Sequence, residues 1–176
     1  MTPEQVLERM REGKKITEKE LITVVRPVWR DLCVDPKYDQ SSDYGIHFYA
    51  LNTKKLKSGG ISDKYSGWSI QREKEKGIEN PLIFINTDRH LSEQIRTIGH
   101  ETSHIVIKKA GGGTVKNHNA EKLARAGERC FVSAFNKKYG TVIPVRKQKD
   151  DCAILFKNLK KPYQRKNCQA NPKLKL

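Results

Sequence analysis

Residues 81–109 read PLIFINTDRHLSEQIRTIGHETSHIVIKK, and the fold turns on them. Leu82-Ile83-Phe84-Ile85 is a short apolar run rich in β-branched and aromatic side chains, which predicts a buried strand. Five polar residues, Asn86 to His90, break it. From Leu91 onward the period changes: Ile95, Ile98, Thr102 and Ile105 recur at the spacing of one helix face, which predicts a helix over 91–109. Gly111-Gly112-Gly113 then stops it.

The same reading extends outward in both directions. Upstream, residues 67–72 form a second short strand and 74–80 a turn. Residues 45–51 alternate, with Ile46, Phe48 and Ala50 on one side and His47, Tyr49 and Leu51 on the other, which predicts a further strand. Residues 54–66 are polar, contain Gly59-Gly60 and read as a connection; 35–43 read as a loop. Two helices open the chain. Residues 2–13 begin with a Thr2 cap and Pro3 in the first turn. Residues 17–32 begin with Thr17 and Glu20 in capping-box spacing and carry Leu21, Val24, Val25, Val28 and Leu32 as a stripe; Pro27 is expected to kink or divide them. Downstream, Asn117 or Asn119 caps a helix that runs to about Lys138, where Gly140 and Pro144 end it. Helices, three short strands and two more helices make an α+β domain.

Composition narrows the function. The chain has 176 residues, 35 Lys+Arg and 20 Asp+Glu, for a net charge of +15. No stretch approaches the roughly 20 apolar residues of a membrane span, and the first residues lack the apolar middle of a leader peptide. The expectation is a soluble protein, cytoplasmic or exported without a conventional leader. Residues 145–176 hold ten Lys/Arg and two acids, so +8 of the +15 lies there. That segment reads as a basic extension to a domain over 1–144, suited to a polyanion or an acidic partner. Cys33, Cys130, Cys152 and Cys168 form no Cys-x-x-Cys pair, so a thiolate zinc site is not expected. With no export signal the reading favours free thiols over bridges. His47 and His90 read as structural or surface residues, Trp29 and Trp68 as core or semi-buried anchors.

Chemistry concentrates at His100-Glu101-Thr102-Ser103-His104. Imidazoles four apart on a helix share a face and can reach one zinc ion at about 2.0–2.1 Å. Glu101, offset by one residue, stands beside the ion as a general base for water attacking a carbonyl. The plain alternative is a surface helix whose polar residues are only solvated.

This pattern, over about residues 45–139, resembles the zincin metallopeptidases. The resemblance implies a zinc-dependent peptidase acting on a protein substrate, with 81–86 as the strand at the cleft edge. In the glutamate-using zincins a Glu on the next helix completes the site. Glu121-Lys122-Leu123-Ala124 is similar to the start of that helix in phage-repressor-cleaving peptidases of the ImmA/IrrE type and in toxin-associated domains, so the resemblance favours Glu121 as third ligand. Glu128 is the other glutamate on that face and the other candidate ligand; with Glu121 in that role it is either a partner that orients an imidazole or a plain surface residue. His118 is the rival, because SprT-like DNA-associated proteases place a third His at a similar distance; their Gly-x-x-Phe after it is absent here. The metzincin spacing is absent too. Tyr139, His118 and Arg125 are the candidate donors to an oxyanion. The small, basic build suggests an effector or toxin domain. The competing class is a basic nucleic-acid-binding protein with a non-catalytic zinc.

Overall fold

The computed structural model describes residues 1–39, 45–60, 62, 64, 66–70, 81–108 and 118–169, with the backbone alone at His118. The expected turn at 74–80 and the glycine stop at 111–113 lie outside them. The domain is α+β, as the order of elements predicted. Helices α1 (Pro3–Arg11) and α2 (Glu18–Asp31) lead to strand β1 (His47–Leu51), helix α3 (Thr53–Ser58), strands β2 (Gly67–Ile70) and β3 (Leu82–Asn86), and helices α4 (Leu91–Val106), α5 (His118–Tyr139) and α6 (Asp151–Asn158). No helix among the described residues is long and apolar enough to cross a membrane.

Local chemistry explains the element boundaries. Thr2 and Thr17 each close a capping box, with Gln5 and Glu20 returning the bond. Pro27 does not divide α2, which is one helix from Glu18 to Asp31; its lost N–H is offset by the buried stripe Leu21, Val24, Val25, Val28 and Trp29. Trp29 stacks on Phe131 of α5 at 4.4 Å. This pair lies in one core formed by α1, α2, the inner face of the sheet, α4 and α5.

The sheet is mixed, in the order β1-β3-β2. β1 runs parallel to β3 and β2 antiparallel to it. Tyr49, Phe84 and Trp68 lie side by side in register and stack across the outer face, at 5.3 and 4.5 Å between rings. The inner face carries Phe48, Ile83 and Ile85 against the helices. This order corrects one expectation: β3 is the central strand, with both edges hydrogen-bonded, and so cannot receive an extended substrate. Among the described residues the strand beside α4 on the open side is β2.

Three other expectations change. Residues 53–58 are a helix, capped by the Asn52 side chain on the Lys55 amide at 2.8 Å, not part of a polar connection. One turn with a single buried side chain, Leu56, is too short to show a period. The cysteines are not free thiols. Cys33 is bonded to Cys168 and Cys130 to Cys152, the partners 135 and 22 positions apart in sequence; pairing depends on which distant segments the fold brings together. Finally, 145–176 is no detached tail in its described part. Leu155, Leu159 and Tyr163 sit in the core, and Leu159 and Gln164 bridge Ile107 and Val34. Charge counting tallied the lysines and passed over the apolar residues between them.

Candidate metal centre

Helix α4 presents two faces of opposite character. Ile95, Ile98, Thr102, Ser103 and Ile105 are buried, and the Thr102 hydroxyl meets the buried Tyr38 phenol at 2.8 Å. Burial pushes that phenol's pKa well up, so it stays neutral and serves as a packing anchor. His100 and His104 take the other face, with side chains 19% and 21% exposed.

Helix α5 comes close to that face because small residues meet at the crossing. A side chain added at Gly99 would strike Phe131 at 2.7 Å, and one added at Gly127 would meet Ser103 Cβ at 2.8 Å. Glycine inside a helix costs about 1 kcal/mol relative to alanine; close approach is the reason for it at Gly127. The approach brings Glu121, in the first turn of α5, and Glu128, two turns on, against the imidazoles.

The resulting geometry is convergent. Glu121 Oε1 lies 3.1 Å from His100 Nε2, and Oε2 lies 3.0 Å from His104 Nε2. The two Nε2 atoms are 3.1 Å apart. Nitrogens bound tetrahedrally to one zinc at about 2.05 Å stand about 3.3 Å apart, so this triad could hold a single metal ion. His100, His104 and Glu121 form the one such group found among the described residues, their ligand atoms all within 4.8 Å of one another.

Surrounding groups prepare the imidazoles. The Glu128 carboxylate can only accept, so the 2.9 Å contact from His100 Nδ1 places that proton on Nδ1 and leaves the Nε2 lone pair facing the triad. Burial works against charge on His100, but the Glu128 bond and the carboxylates of Glu101 and Glu121 outweigh it and hold its pKa above the ordinary value. For His104, burial comes first and the neighbouring His100 second, and together they hold its pKa below the ordinary value. Burial would raise the pKa of Glu121, but both imidazoles and Arg125 reverse that, so it stays a carboxylate.

Glu101 lies outside the triad. Its Oε2 accepts a 2.6 Å hydrogen bond from Ser69 of β2, which turns the carboxylate toward the sheet side of the cleft. Sequence reading missed Ser69, because a lone serine in a four-residue strand carries no signal. Of the other expected residues, His118 begins α5. Tyr139 is eighteen residues, about 27 Å along the helix, from Glu121, and its hydroxyl donates to the Val24 carbonyl at 2.8 Å. It is therefore no donor to this site. Arg125 remains beside it, 3.5 Å from Glu121. His90 caps α4 through its ring nitrogen.

Glu128→Ala is expected to weaken metal binding about 10–100-fold, read by competition with a chromogenic chelator. Unchanged affinity would show that Glu128 does not orient His100.

Comparison with family models, with curated proteins and with solved structures finds no match.

Proposed function

We propose that this chain is a zinc-dependent metallopeptidase. The observation that carries the reading is the meeting of His100, His104 and Glu121 from two helices at 3.0–3.1 Å, with Glu101 adjacent and outside the ligand set. Two imidazoles and one carboxylate leave a fourth position open, the ligand pattern of a catalytic zinc site, whereas structural sites use four protein ligands. All four cysteines are in disulfides, so no thiolate competes for the ion.

When bound, the ion supplies Lewis acidity, polarising a carbonyl and lowering the pKa of water toward about 7. The chain's own groups do the rest. Glu101, oriented by Ser69 through one oxygen, takes the proton of the attacking water on the other and delivers it to the leaving nitrogen. Glu128 holds the ring of His100 against rotation. Arg125 is placed to offer a cation to the developing oxyanion.

The +15 charge suits an acidic substrate or partner, and disulfides suit work in an oxidising compartment. Both fit an exported effector. A nucleic-acid-binding protein with a non-catalytic zinc would share the charge but would not need Glu101.

Metal analysis tests the reading. We expect about one zinc per chain, lost in His100→Ala and His104→Ala and strongly reduced in Glu121→Ala. A protein purified without chelators that carries no metal would overturn the proposal. Zinc lost in His118→Ala but kept in Glu121→Ala would reassign the third ligand.

A further inference from the structure

Beside the triad a cleft of about 420 Å³ runs along α5. Arg96, Arg125, Arg129 and Arg146 all line it, along with His100, Glu121 and Glu128. Four guanidinium groups around one concavity call for an account of their counter-charges.

Arg129 is answered within the fold. Its Nε and Nη2 grip the fully buried Asp151 at 3.0 and 2.8 Å. Glu121 and Glu128 are committed to the imidazoles. Arg96 donates to the Pro144 carbonyl at 2.7 Å, a contact that fixes the side chain, and no carboxylate pairs with it among the described residues. Arg125 is 65% exposed and reaches Glu121 only at 3.5 Å. Arg146 is exposed and has no hydrogen bond or ion pair among the described residues. Three cationic residues thus line a space next to the triad, and an ion held there would add to their sign.

The wall bearing Arg146 is also held in place. Arg129 and Cys130, neighbours on α5, bind Asp151 and Cys152, neighbours on α6. Gln148 N–H donates to Asp151 at 2.7 Å. The segment between Pro144 and Asp151 is therefore anchored at both ends, by Arg96 and by this double attachment.

We infer that the arginine-lined cleft is a specificity subsite that receives an anionic side chain of the peptide substrate, next to the bond to be cut. Guanidinium forks match carboxylate geometry. The volume lies at the low end for ligand pockets and has room for a few side chains, not for a nucleic-acid duplex. The inference takes its substrate class from the peptidase reading.

Binding can be separated from cleavage. The probe is a set of blocked hexapeptide pools with one position fixed as Glu, Gln, Asp or phosphoserine, titrated into zinc-treated Glu101→Gln protein at low salt. The Glu pool should bind about tenfold more tightly than the Gln pool, the size of one charge-assisted hydrogen bond. Arg146→Ala should reduce that preference to near unity and Arg146→Lys should restore part of it. Lys19→Ala, which removes the same charge from an exposed site on α2, should leave the preference intact. The Asp and phosphoserine pools distinguish a carboxylate from a phosphate as the anion. Equal binding of Glu and Gln pools, or equal effects of the Arg146 and Lys19 changes, would overturn the subsite. A Glu preference without zinc uptake or cleavage would leave the subsite standing and remove the peptidase.

Discussion

Glu101→Gln should lower peptide hydrolysis about 10²–10⁴-fold, the usual contribution of a positioned general base, while leaving zinc content and melting temperature at their starting values. Glu101 is not among the three converging side chains that could hold a metal ion, so its loss leaves that group intact. Glutamine has the same shape and can still bond to Ser69, which holds the side chain at 2.6 Å. What it cannot do is accept a proton from water. Rates on a mixed peptide pool, zinc per chain and thermal melts of the same preparation form the measurement. Full activity in the variant would remove Glu101 from the chemistry. Loss of zinc would instead make it a ligand.

The second large effect concerns stability. Reducing the Cys33–Cys168 bond should destabilise the fold by about 5 kcal/mol, because it frees a closed loop of 135 residues in the unfolded chain. The Cys130–Cys152 bond, spanning 22 residues, should contribute about 3 kcal/mol. Against a total of about 5–15 kcal/mol for an ordinary domain, the longer bridge is a large share. At about 2–4 °C per kcal/mol for a chain of this size, Cys33→Ser with Cys168→Ser should melt about 10–20 °C lower, and Cys130→Ser with Cys152→Ser about 6–12 °C lower. Thermal unfolding with and without reductant makes the measurement. Melting curves that coincide would show that the bridges contribute nothing.

The parts of the fold visible in the sequence were those with a period or a cap. Thr2 and Thr17 announced α1 and α2, and the change from the run at Leu82 to the stripe from Ile95 to Ile105 located β3 and α4. HExxH spacing placed both imidazoles on one face, because four residues on a helix is a fixed distance. What stayed hidden was long-range. Which strand flanks α4 depends on pairing across the chain, and β3 turned out to be central. Ser69 is reached from Glu101 across 32 positions. The cleft wall comes from a segment whose lysines masked Leu155, Leu159 and Tyr163. Cysteine pairing has no local signature, and reasoning from compartment pointed the wrong way.

The spacing of the triad is set less by its ligands than by two missing side chains, at Gly99 and Gly127. A recognisable signature for this centre is therefore longer than its five-residue core. It reads Gly-His-Glu-x-x-His, then a glutamate seventeen positions after the second histidine, then Gly-Glu six and seven positions further on. Scanning genomes for that string, rather than for the histidines alone, would separate chains able to bring the two helices together from those that merely carry the motif by chance.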